Sequence, residues 1–331
     1  MLSIRQNFLE TIHGGKPDRF VNQYEFIDIL FGLDPISRNN PSPTAPGQET
    51  KNSWGVTVAW REGQPGAFPV HDAEHKVVKD IRKWKEVVKT TPRLEFPEAD
   101  WADAIKAAQA VDRKEKYCAA PYFTGVFEML HYLMGVDECL IDLYEEPELI
   151  HELVDFITEY ELKYAEQWCK YVKPDALFHH DDWGTQISSF MSPDMFREFF
   201  LPSYKKIYSY WKSHGVEIIV HHSDSYAANL VPQMIEMGID VWQGCTTQND
   251  VPALVKQYGP KISFMGDINN GVLDKADWTP AEVRRDVERT CRENGKLYFI
   301  PCMVHGLGFS IFPGVYEEVS KEIDRMSKEM F

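Results

Sequence analysis

Two residues, His222 and Asp224, stand at the end of a short apolar run, residues 216–220, that is rich in β-branched side chains. Such runs favour strands, and residues two apart on extended chain point to the same side. An imidazole and a carboxylate converging at a strand end could bind a divalent metal or move protons. The competing use is a His–Asp hydrogen-bonded pair that closes the strand. His221 points the other way, into the wall.

Similar clusters follow other short apolar runs. Residues 175–178 lead into His179, His180, Asp181, Asp182 and Trp183. Facing alternates along extended chain, so at most one of Asp181 and Asp182 enters the site, and spacing leaves open which; the same holds for His179 and His180. Residues 261–265 lead to Asp267 and Asn269, residues 297–301 to His305, and residues 116–123 include Tyr122. His71 and His75 have spacing that would place both imidazoles on one helix face, although no third ligand is near them. Glu25 and Glu128 could approach from other strand ends. Cys245 and Cys302 suit buried apolar positions as well as ligand roles.

The elements that must position these groups alternate. From residue 117 onward, strand candidates alternate with helix candidates of ten or more residues, a pattern that builds a parallel sheet. With a candidate over residues 20–26, about eight strands can be counted, and the expectation is one (β/α)8 TIM barrel spanning residues 1–331, with an N-terminal helix. The polar clusters then share the carboxyl-terminal mouth. Residues 32–53 carry four prolines and are expected to form a lid over it. No strand–Gly-x-Gly-x-x-Gly–helix unit appears, which argues against a dinucleotide site.

Composition narrows the classes. The formal charge of −16 argues against nucleic acid and anionic membranes. No apolar run reaches membrane-spanning length and no secretory leader is seen. Six scattered cysteines without a Cys-x-x-Cys motif suit reduced thiols and a cytoplasmic setting. Aromatic residues make up 13% of the chain, with nine tryptophans, which suits a pocket for a flat substrate.

The chain resembles the uroporphyrinogen decarboxylase superfamily, specifically its corrinoid-dependent methyltransferase branch. The resemblance rests on Gly15-Lys16-Pro17-Asp18-Arg19, on Asp181-Asp182-Trp183-Gly184 followed by Met191-Ser192-Pro193, and on His222-Ser223-Asp224 with Gly238-Ile239-Asp240-Val241 downstream. Gly266-Asp267-Ile268 and Pro313-Gly314 complete it. It implies a (β/α)8 barrel that moves methyl groups to or from the cobalt of a corrinoid protein, usually with zinc. It also implies a His-x-Cys zinc motif and a later cysteine. His222 matches the histidine, Asp224 stands where the cysteine would be, and residues 308–310 are Gly-Phe-Ser at the later position. His305 or Cys302 could supply the third ligand, giving His222, Asp224 and His305 as the expected zinc set.

A site of imidazole and carboxylate is harder than one of thiolates, and suits polarising an ether oxygen. The expected activity is therefore methyl transfer from a methyl ether, an aryl ether given the aromatic content, to a corrinoid partner in anaerobic O-demethylation. Asp181, Asp182, His222 and Asp224 are the expected catalytic residues. Tyr122, His180, Trp183, Asp267 and Asn269 are expected to line the mouth. The alternatives are a porphyrinogen decarboxylase, a methylcorrinoid:thiol methyltransferase, and an inert scaffold that docks a corrinoid protein. A homodimer is compatible with the acidic helices.

Overall fold

The strands that carry the histidines have the strongest local code. Ala176–His180 and Ile218–His222 are short, apolar at their starts and almost wholly buried. In the computed structural model, which describes residues 1–64, 66–306 and 311–331, they are neighbours in a seven-stranded parallel sheet. Its strands, with all ten of the described chain numbered in order, are β1 (Ile27–Ile29), β5 (Tyr117–Tyr122), β6 (Ala176–His180), β7 (Ile218–His222), β8 (Val241–Cys245), β9 (Ser263–Ile268) and β10 (Phe299–Met303). They lie side by side in chain order. Between β1 and β5, β2 (Glu49–Lys51), β3 (Thr57–Ala59) and β4 (Phe68–Pro69) form a separate antiparallel sheet.

The parallel sheet curls on itself. One apolar cluster takes residues from all seven strands, among them Ile27, Ala119, Phe178, Val220, Val241, Met265 and Ile300. Their chain neighbours Cys118, Leu177, Ile219, Trp242, Phe264 and Phe299 belong to a second cluster, shared with surrounding helices such as Pro147–Tyr171 and Leu201–Ser213. A single inner cluster fed by every strand is the interior of a barrel. Phe8 and Ile12, on the N-terminal helix Ile4–Ile12, plug its floor. Ser3 and Gln6 cap that helix reciprocally.

The seam between β1 and β10 departs from expectation. Residues 20–26 do not make a strand. Asn22 donates its N–H to Glu25 Oε1 at 3.0 Å, turn bonds run from Glu25 to Asn22 and from Ile27 to Tyr24, and Gln23 has φ +51°. That left-handed conformation cannot continue a strand. The buried Gln23 side chain bridges the seam instead. Its Oε1 accepts from Met303 N (3.3 Å), and its Nε2 donates to Ser320 Oγ (2.7 Å) and Tyr316 O (3.2 Å).

Residues 32–53, expected to form a lid, carry regular structure. They contain the helix Pro35–Arg38, capped by Asp34, and β2, which pairs with β3. The roof over the barrel mouth comes later in the chain, from β4 and the residues beside it. Among the described residues, no helix is long and apolar enough to cross a membrane.

Gln23→Leu keeps the bulk and removes three hydrogen bonds, leaving Met303 N–H buried without its partner. Urea denaturation should show a loss of about 2–4 kcal/mol, the range for stranding buried polar groups; a loss below about 0.5 kcal/mol would mean that the seam holds without this side chain.

Candidate metal centre

Strand period and register place the histidines. His180 and His222 are opposite one another in the β6–β7 ladder, as are His179 and His221. Facing alternates, so one pair enters the barrel mouth and the other faces the helices. His180 and His222 are the inward pair, stacked with ring centroids 4.6 Å apart and planes 18° apart. Asp182 joins them. One ligand atom from each of His180, Asp182 and His222 lies within 4.8 Å of the others.

Each of the three side chains is anchored by one polar atom and has another to spare. His222 Nδ1 is hydrogen-bonded to Gln243 Oε1. The Gln243 amide is fixed in turn, because its Nε2 donates to Val304 O (3.2 Å) and Met303 O (3.4 Å). Its oxygen must therefore face His222, so His222 Nδ1 carries the proton and Nε2 keeps its lone pair. His180 Nδ1 donates to Glu128 Oε2 at 2.8 Å, and its Nε2 faces Asp182 Oδ2 at 4.0 Å. Asp182 Oδ1 accepts from Asp224 N–H at 2.9 Å, which leaves Oδ2. Two imidazoles whose second nitrogens are hydrogen-bonded, beside a carboxylate, are a fitting donor set for a divalent metal.

Burial opposes charge on His180, but Glu128, Asp182 and Asp224 outweigh it and push the imidazole up to about 10, so a metal would have to displace the proton from its Nε2. Burial and the neighbouring His180 hold His222 down to about 4. Asp224 is pushed up to about 7, by burial and then by Asp182.

The converging set differs from the expected one in two members. His222 groups with His180 and Asp182, not with Asp224 and His305. Asp224 and His305 face each other across the cavity wall, at 3.7 Å between Oδ2 and Nε2. The positions 308–310, where the resemblance calls for a later cysteine, lie outside the described residues.

Several residues expected at the mouth face outward. Asp181 is fully buried beneath the helix Val126–Met134, whose first turn it satisfies: it accepts from Glu128 N–H (2.9 Å), Phe127 N–H (3.0 Å) and the Tyr204 hydroxyl. That makes it a structural anchor for Glu128. Trp183 stacks on His221 at 4.1 Å in the outer layer. Tyr122 stacks on His179 at 5.4 Å there, and His179 is bonded to Glu161 at 2.7 Å. Asp267 misses the mouth because the backbone turns at φ +62°. Its carboxylate accepts from Asn294 (2.7 Å) and Arg289 (3.1 Å) on Pro280–Asn294. Asn269 starts the short helix Asn270–Leu273, its N–H donating to Asp286, and is not a cavity-lining residue.

The mouth encloses a cavity of about 900 Å³. Tyr24, Phe31, Phe123, Tyr132, Phe178 and Phe190 give it aromatic walls, and Phe68, Pro69 and His71 roof it. His180, Asp182, His222, Asp224, His305 and Glu128 form its polar end. Among the described residues no lysine, arginine or cysteine lines it. Two positions that bear on the cavity escaped the sequence: Gln243, which pairs with His222 across the β7–β8 ladder, and His131, one helical turn past Glu128. A polar residue inside an apolar strand was the available signal for Gln243.

The adjacent aspartates should behave oppositely. Asp181→Ala strands two buried N–H groups and should cost about 2–4 kcal/mol in urea denaturation, whereas Asp182→Ala should stay within about 1 kcal/mol of wild type. Equal losses would contradict the division into outward and inward roles. A pH effect follows from His131, which burial, reinforced by His71, holds neutral with its pKa down to about 3. The unfolded imidazole titrates near ~6.5, so the unfolded chain takes the proton first. Stability from this site is present above ~6.5 and lost as pH falls toward 3. His131→Phe should flatten that slope, measured by denaturation at successive pH values; an unchanged slope would show that His131 is not its source.

Comparisons with known proteins agree with the fold. The model of the family described as uroporphyrinogen decarboxylase (URO-D) matches residues 52–327. A solved structure titled methyltransferase from Methanosarcina mazei superposes with a TM-score of 0.62 at 12% identity, covering 98% of this chain and 99% of that one. At that identity the likeness is one of fold. No curated protein sequence matches the chain significantly. With the family model spanning the inner β-ladder from β5 to β10 and the roof strands β3 and β4, the chain belongs to the uroporphyrinogen decarboxylase family.

Proposed function

We propose that this protein is a methyltransferase that takes a methyl group from an aryl methyl ether and passes it to the cobalt of a corrinoid held by a partner protein, with zinc bound by His180, Asp182 and His222. The observation that carries the reading is the donor set: three converging side chains, each hydrogen-bonded at one polar atom and holding a ligand atom in reserve. When bound there, zinc supplies Lewis acidity toward the ether oxygen.

The residues account for the rest. The aromatic walls hold a flat ring, and Glu128 and Gln243 keep the two imidazoles in place. The methyl carbon leaves without its bonding pair, which stays on the ether oxygen as a phenoxide. Reduced cobalt donates the pair that forms the new cobalt–carbon bond. Asp224 and His305, facing each other beside the ligand set, are positioned to return a proton to that oxygen. The roof must open for the corrinoid to approach.

The alternatives fit the cavity less well. A porphyrinogen carries several carboxylates, whereas the cavity offers Glu128, Asp182, Asp224 and Asp274 and, among the described residues, no lysine or arginine. A thiol acceptor is usually activated at a softer, thiolate-rich site, and no cysteine is among the lining residues described. The likeness in fold to a methyltransferase from Methanosarcina mazei supports the choice without deciding the substrate.

Metal content and methyl transfer test this together. Protein purified without chelators should carry near-stoichiometric zinc and should methylate a reduced corrinoid protein from an aryl methyl ether, followed by the cobalt absorption change. Asp182→Ala and His222→Ala should lose both. Asp224→Ala should keep the metal, because Asp224 anchors Asp182 through its backbone. Gln243→Leu should weaken metal binding by roughly 10- to 100-fold, as loss of a hydrogen-bonded support for a ligand does. Zinc retained in both Asp182→Ala and His222→Ala would sink the assignment.

A further inference from the structure

The same cavity also carries a pair of imidazoles outside the ligand set. His131 follows Glu128 by three residues on Val126–Met134, so the helix separates it from the anchor of His180 by roughly 4.5 Å of rise. His71 comes from the roof. Its ring meets His131 edge-on at 5.8 Å, and Tyr132 packs against them at 6.2 and 5.2 Å. All three line the same cavity as the metal ligands.

Each of these histidines has one ring nitrogen that is buried and without a hydrogen-bond partner in the protein: Nε2 of His71 and Nδ1 of His131. A neutral imidazole has one donor nitrogen and one acceptor. A stranded N–H is rarer in folded proteins than a stranded acceptor. A proton on the other nitrogen of each ring makes each histidine a donor available to a ligand in the cavity that both line. Burial keeps both in the neutral form.

We propose that His71 and His131 form a subsite for an uncharged oxygen on the substrate ring, a hydroxyl or a second alkoxy group, distinct from the ether that is cleaved. The cleaved ether rests on the methyltransferase reading; the subsite itself rests on the two donors. A carboxylate there is disfavoured because two neutral imidazoles supply no counter-charge and no lysine or arginine is among the described lining residues.

The test is equilibrium binding of 4-methoxyphenol, methoxybenzene, 4-methoxybenzoate and phenol to the full-length protein, by calorimetry. Wild type should bind 4-methoxyphenol about ten-fold more tightly than methoxybenzene, the scale of one to two hydrogen bonds, and 4-methoxybenzoate more weakly than 4-methoxyphenol. His131→Phe and His71→Phe should each remove most of that advantage with methoxybenzene unchanged, and His71→Gln should restore part of it. His71 is only half-buried, so its variants carry the test if His131→Phe does not fold. Equal affinity of wild type for 4-methoxyphenol and methoxybenzene, an advantage that survives the phenylalanine variants, or no binding of any ring overturns the subsite. If phenol and 4-methoxyphenol bind through the histidines but no methyl reaches cobalt, the subsite stands and the methyltransferase reading fails. Methyl transfer with no dependence on the histidines is the reverse case.

Discussion

The orientation of the Gln243 amide is the constraint on which the site depends. Two backbone carbonyls at the end of β10 take its N–H groups, so its oxygen has one direction left, toward His222. That settles where the His222 proton sits and frees the other nitrogen for a ligand. Glu128 does the same for His180, and Asp181 fixes Glu128 by holding the start of its helix. The two outward and inward aspartates thus act on the same centre, one from behind the strand and one directly. Such support is what holds ligating imidazoles in a productive orientation.

The barrel explains why these groups meet. Its strands run in parallel and in chain order, so residues distant in sequence become lateral neighbours at one end. Polar side chains there are costly to bury unless they are paired. His179, His221, Asp181 and Asp267 are paired outward, with Glu161, Tyr208, the Val126–Met134 helix and Arg289. His180, Asp182, His222 and Asp224 remain at the cavity. The acidic, aromatic character of that cavity follows from these same strand ends, and it favours an uncharged, flat ligand over a polyanionic one.

Much of this was legible in the sequence. The alternation of short apolar runs with long helices gave the barrel class, and two-residue spacing put His222 and Asp224 on the cavity side and His221 in the wall. Spacing could not choose between Asp181 and Asp182, because the parity depends on where β6 ends. It also could not pair His180 with His222, since the register between two strands is not written in either strand alone. Tyr122 and Trp183 were misplaced for the same reason of parity. Asp267 was misplaced because a left-handed turn at that residue is not visible in a strand pattern. The seam was read as a strand, whereas a bent segment and the Gln23 side chain span it.

The most direct test of the central claim is the coordination shell of the bound metal, measured by X-ray absorption at the zinc edge on the full-length protein. Two imidazole nitrogens with oxygen ligands at about 2.0–2.2 Å and no sulfur is the result expected for His180, His222 and Asp182. A sulfur shell near ~2.3 Å would place the metal on cysteine and contradict the account.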